Sequence, residues 1–148
     1  MRNLIAGVTV VTTAAGRKAT GMTATSVSSL SASPPSLLVC ANQSGSFAAL
    51  IKEGRPFCVN VLSSSHVELA KTFGSADANK NFDGPEWLRD HDDVPYLVEA
   101  KVRFHCKAFQ IFPVATHLIV AGTVEEVEFA ASSLKALAYS DGRFTTVA

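Results

Sequence analysis

"GMTATSVSSLSASPPSLLVC", residues 21–40, decides how the rest of the chain is read. Seven of the eleven positions from Thr23 to Ser33 carry a hydroxyl, and two prolines follow directly. Hydroxyls at this density have two readings. They satisfy the backbone of a Ser-rich surface loop, or they hold a ligand that needs many weak donors. Gly21, Ala24 and Ala32 accompany them, and small residues let a backbone come close to a flat ring. The residues by themselves keep both readings open.

Upstream, "AGVTVVTTAA" (6–15) is rich in β-branched residues and stops at Gly16-Arg17-Lys18. The hydroxyl-rich stretch then reads as the second strand of a hairpin running into a loop. Downstream of Pro34-Pro35, "SLLVCAN" (36–42) is a short apolar run, the pattern of a strand buried on both faces. Phe47, Leu50 and Ile51 lie at helical spacing, with Gly54 as the expected stop. "PFCVNVL" (56–62) is another buried strand. "SSSHVELAKTFG" (63–74) is a Ser-capped helix stopped by Gly74. The polar run 75–93 predicts a long loop, a lid or a partner contact, with Trp87 as its anchor. Residues 96–114 and 116–130 return to strand patterning, and Asp141-Gly142 turns a last hairpin that Tyr139 and Phe144 pack.

About seven strands and two short helices leave too few helices to cover a parallel sheet. The expected fold is mainly β, an antiparallel β-barrel with accessory helices, in one domain spanning 1–148. Formal net charge is zero, so no long-range field draws the chain to nucleic acid or to an anionic membrane. "LIAGVTVV" (4–11) is too short to span a bilayer and no signal-peptide pattern follows it. Cys40, Cys58 and Cys106 are widely spaced and flanked by apolar residues, which predicts buried thiols in the cytoplasm.

Motifs for familiar chemistry are missing. There is no GxGxxG, Walker loop, HExxH or CxxC, and no GxSxG elbow marks a nucleophile. His66, His91, His105 and His117 have no metal-ligand spacing, so no metal is expected. Cys106 reads as a core thiol, and His66 and Glu68 as solvent-facing helix positions.

The order "GVTVVTT … GMTATSVSSLSASPP … FCVNVL … ELAKTF … W … VPYL … H-LIVAG-V … AY-DGRF" resembles the short-chain flavin reductase family from Gly7 to Phe144. The resemblance implies an FMN-binding split β-barrel, a homodimer, and hydride transfer from NADH or NADPH to FMN or FAD. It also implies that reduced flavin leaves for a separate monooxygenase. By position, Met22, Thr23, Ala24, Thr25 and Ser26 are expected to meet the isoalloxazine ring, and Ser28 and Ser29 its ribityl chain or phosphate. Gln43, Ser44, Gly45 and Ser46 form the second flavin segment, and Phe73 lies beside the flavin tail. His117 takes the place of the family histidine near the nicotinamide. A non-enzymatic flavin carrier or sensor of the same shape is the alternative.

Two positions depart from the family pattern. Ala115-Thr116 stand where relatives have Gly-Asp before the histidine, and Thr offers the ring only a neutral hydrogen bond. "ANQSGS" (41–46) lacks the arginine of relatives, so N–H groups and hydroxyls are expected to carry the phosphate, helped by Lys52, Arg55 or Lys71. The six residues before Gly7 are fewer than relatives carry, which leads to the expectation of an absent N-terminal segment.

Overall fold

A computed structural model describes residues 1–76 and 80–147. Seven antiparallel strands form one sheet in the order β3-β2-β6-β9-β10-β5-β4. They are β2 (Thr9–Ala15), β3 (Lys18–Ala24), β4 (Val27–Ala32), β5 (Pro35–Asn42), β6 (Pro56–Val61), β9 (Val102–Val114) and β10 (His117–Phe129). Its two edge strands, β3 and β4, are consecutive in the chain and joined only by Thr25 and Ser26. The sheet therefore curls until its edges meet at that link and remains unpaired beyond it. This is the expected barrel, split along one seam.

The interior is filled from six of the seven strands, including Val11, Ala24, Val39, Val59, Ala108 and Val120, with Phe47 of helix α1 (Ser46–Leu50) as a plug. A second apolar cluster lies under helix α2 (Val67–Gly74), where Phe73, Trp87, Leu97 and Leu137 pack. Covering it are two short ribbons: β7 (Trp87–Arg89) with β8 (Pro95–Leu97), and β1 (Ala6–Gly7) with β11 (Ala136–Ser140) and β12 (Arg143–Val147). Asn60, fully buried on β6, donates to the Val10 carbonyl at 3.0 Å and accepts from the Leu97 N–H at 2.8 Å. One amide thus fastens the β7–β8 ribbon to the barrel.

The structure differs from the expectations in several places, and the run 75–93 expected as one long loop contains strand β7. The opening stretch is two strands rather than one strand and a loop, because both edges of the barrel can be built from small and hydroxyl residues. Residues 96–114 break at Val98–Lys101, separating β8 from β9. Helix α1 ends at Leu50, and Gly54 (φ 82°) sits in the turn before β6 instead of capping it. At "SSSHVELAKTFG" a 3-10 turn (Ser64–His66), opened by a capping box, leads directly into α2. Ser63 and His66 bond reciprocally, with His66 Nδ1 accepting the Ser63 N–H at 3.1 Å. His66 is thereby a cap rather than a purely solvent-facing position.

Cys58 and Cys106 are buried, and burial pushes the Cys106 thiol up to about 12 and Cys58 well above its ordinary value. His105 is almost enclosed, with Nδ1 3.1 Å from Asp90 Oδ2 and Nε2 3.3 Å from Glu128 Oε2. Arg103 reaches the same Glu128 carboxylate at 2.7 Å. Among the described residues no group of His, Cys, Asp or Glu has the arrangement of a metal site. Among the described residues no helix is long and apolar enough to cross a membrane.

Candidate functional site

Where the two edges of the barrel meet, they leave a cavity of about 510 Å³. Strand β3 and the Thr25–Ser26 link make one wall. Cys40 and Asn42 of β5 make the floor, and Ser44–Phe47 the opposite wall. Phe73–Ala76 and Lys80 close a third side, and His117 stands at the rim.

Local sequence explains how these groups come together. Pairing of β5 with β10 sets Asn42 opposite His117, so the end of one strand and the start of the next share the rim. Asn42 Oδ1 accepts from the Ser44 N–H at 3.0 Å and from the Ser44 hydroxyl at 2.8 Å, while the Gly45 N–H donates to the Asn42 carbonyl at 3.0 Å. A tight turn results, and a Cβ at Gly45 would lie 3.2 Å from the Asn42 carbonyl oxygen. On the facing side the Thr23 hydroxyl donates to the Ala70 carbonyl at 2.7 Å, pinning α2 to β3. Gly21 admits the Phe73 ring: a Cβ there would meet Phe73 Cε1 at 3.0 Å and Cδ1 at 3.1 Å. That ring in turn packs on Phe82 and Trp87, each at a centroid distance of 5.5 Å.

Of the expected site residues, the cavity gathers Met22, Thr23, Ala24, Thr25, Ser26, Ser44, Gly45, Ser46, Phe73 and His117. Ser28 and Ser29 do not border it. They lie exposed on edge strand β4, where the Ser28 hydroxyl donates to the Ser29 carbonyl at 3.1 Å. Gln43 also faces away: its Nε2 donates to the carbonyls of Ala115 (3.2 Å) and His117 (3.0 Å). It is a clamp on the β9–β10 turn that holds His117 in place. In that turn Ala115 has φ 51°, a left-handed conformation that glycine adopts without strain. Thr116 Oγ1 lies 2.9 Å from His117 Nδ1, so the neutral partner expected for the imidazole is present.

Sequence reasoning missed Cys40, Asn42, Phe47, Gly74, Ser75, Ala76 and Lys80. Lys80 belongs to the polar run read as a lid or partner contact, and nothing in its neighbours marks it as a wall of this cavity. Partial burial lowers its ammonium pKa from the ordinary lysine value. Among the described residues no Asp or Glu side chain borders the cavity.

The walls fit a flavin. The volume falls in the range of small-molecule sites, and the walls combine apolar surface with scattered hydroxyls. Thr25 and Ser26 are exposed at the cavity, and their hydroxyls make no hydrogen bond within the described residues. Among the described residues lining the cavity no nucleophile is paired to a base, so the arrangement suits a reaction whose reactive atoms both arrive on bound molecules.

The model of the flavin reductase like domain matches residues 1–148. FMN reductase (NADH) RutF of Methylorubrum populi is 36% identical over 149 residues, spanning 99% of this chain and 73% of the relative. RutF of Pantoea ananatis is 35% identical over 145 residues, spanning 97% of this chain and 76% of its own. Among solved structures, BorF, the flavin reductase component of a bacterial two-component tryptophan halogenase, superposes with TM-score 0.88 at 28% identity, covering 99% of this chain and 92% of BorF. The NADH:FAD oxidoreductase SgcE6 of Streptomyces globisporus C-1027, solved with NAD and FAD fragments, has TM-score 0.88 at 27% identity, covering 99% and 87%. With its split barrel and its hydroxyl-lined cavity at the seam, the chain belongs to the flavin reductase like domain family.

Proposed function

We propose that the protein is an NADH-dependent flavin reductase that reduces FMN or FAD in the seam cavity and releases the product to a separate oxygenase. One observation carries the reading. The cavity is walled by hydroxyl side chains and by an aromatic ring, shows no acid–base dyad among the described residues, and belongs to a chain 36% identical to an FMN reductase (NADH).

When both cofactors are bound, they supply the hydride chemistry between nicotinamide and isoalloxazine. Each residue has a positional task. Met22–Ala24 present a β-strand edge along which a flat ring can lie. Thr25 and Ser26 donate to its polar edge, and Phe73 closes the cavity against water at the α2 end. His117, fixed by Gln43 and Thr116, stands where the nicotinamide enters. Ser44 and Ser46 border the opposite wall. The reading further includes a homodimer, transfer of reduced flavin to a monooxygenase and a cytoplasmic setting. BorF, itself a component of a two-component system, supports the transfer step. The three free cysteines suit a reducing compartment.

Mixing the protein with excess FMN and NADH and following nicotinamide absorbance tests the reading. Oxidation continuing well beyond one equivalent of protein supports a reductase. A flavin spectrum without turnover would instead mean a carrier or sensor.

A further inference from the structure

Among the described residues, four of the six hydroxyl side chains that line the cavity are already used. Ser44 gives both its N–H and its hydroxyl to Asn42, and the Gly45 N–H goes to the Asn42 carbonyl. Thr23 donates to Ala70, and Ser75 donates to the Thr72 carbonyl at 2.9 Å. Ser46 shares a 2.5 Å hydrogen bond with Thr20. A phosphate brought into this cavity finds the Thr25 and Ser26 hydroxyls and the N–H groups that open α1, all of them neutral. The cations expected to help are elsewhere. Lys52 and Arg55 do not border the cavity, Arg55 donates to the Leu50 carbonyl, and Lys71 faces an adjoining open groove while pairing with Glu68 at 2.7 Å.

One lysine does border it. Lys80 enters from the run that follows α2, and no ion pair or side-chain hydrogen bond engages it among the described residues. Its segment is anchored just downstream. Two residues on, Phe82 is clasped by Trp87 at 4.9 Å and by Phe73 at 5.5 Å, and Phe73 itself is seated over Gly21. The amine is partly withdrawn from water, a state in which an anionic partner is worth more than at an open surface.

We propose that Lys80 is the phosphate-recognising residue of the flavin site, so that this chain selects phosphorylated flavins over riboflavin through a cation from the α2–β7 segment. The assignment rests on the flavin-reductase reading above and goes beyond it in naming what discriminates between flavins. Lys80 acts here as a binding residue and takes no part in hydride transfer.

The test is a set of fluorescence-quenching titrations of FMN and riboflavin against wild type, Lys80→Gln and Lys80→Arg. A charge-assisted contact predicts that Lys80→Gln weakens FMN by about five- to tenfold and leaves riboflavin within about twofold. Lys80→Arg should keep most of the preference, and added salt should weaken FMN binding more in wild type than in Lys80→Gln. An FMN-to-riboflavin ratio unchanged by Lys80→Gln overturns the proposal. So does equal weakening of both flavins, which would set the lysine against the ring instead. A wild type that binds neither flavin overturns the flavin reading itself, and this assignment with it.

Discussion

Gly21→Ala is the substitution through which the opening stretch can be interrogated most sharply. The new methyl would lie 3.0 and 3.1 Å from two carbons of the Phe73 ring and 3.2 Å from Thr12 Cγ2. Phe73 is 3% exposed and braced by Phe82 and Trp87, so the ring has little room to retreat. Overpacking of this kind costs about 1–3 kcal/mol. Replacing a strand glycine by alanine returns roughly 0.5–1 kcal/mol, which leaves a net loss of about 1–2 kcal/mol. For a chain of 148 residues that lowers Tm by roughly 3–7 °C. Because the displaced ring closes the cavity, FMN affinity should fall several-fold as well. Urea midpoints for Gly21→Ala, Phe73→Leu and the double variant are the assay. In the Phe73→Leu background the alanine should cost little or nothing, giving a coupling of about 1 kcal/mol. A Gly21→Ala protein as stable as wild type, or more stable, would refute the argument that this glycine exists to seat the ring.

Thr25→Ala and Ser26→Ala should each weaken FMN binding by about two- to tenfold, the range of one neutral hydrogen bond, with little change in kcat; unchanged affinity in both would remove them from the site. Ala115→Gly relieves a left-handed alanine (φ 51°) and should stabilise the protein by about 1 kcal/mol in a urea titration, whereas a loss of stability would mean the turn is not strained. Burial pushes the Glu128 carboxyl up, but its bonds to Arg103 and His105 outweigh this and hold it below the ordinary carboxylate value. Its contribution to stability is then complete above that ordinary value and is lost as pH falls through the lowered one. Glu128→Gln should flatten the acid limb of the stability–pH curve, and an identical limb in the variant would count against the cluster.

The barrel was legible where chemistry is local. Gly16 turns the β2–β3 hairpin, the β-branched runs form its strands, and Ser63 caps the entry to α2. The course of the hydroxyl run was harder to read. An edge strand with one exposed face tolerates serines as readily as a loop does, so pattern alone does not separate β4 from a loop, and Ser28 and Ser29, matched to the flavin tail by resemblance, lie exposed on it. Gly21 had a role that pattern reading could not assign, because its partner is a ring 52 positions away, Phe73. Strand register carries Thr25, Ser26 and His117 to the seam cavity, whereas the Gln43 amide reaches two carbonyls across the sheet and does not border it. Lys80 stayed hidden because only the aromatic cluster of Phe73, Phe82 and Trp87 brings its segment back to the cavity.

A structure determined with FMN bound tests the central claim most directly. The account predicts the ring lying along Met22–Ser26, facing Ser44–Ser46, with the phosphate within hydrogen-bonding distance of Lys80. Flavin seated anywhere else, with this seam empty in a protein that turns over NADH, would contradict it.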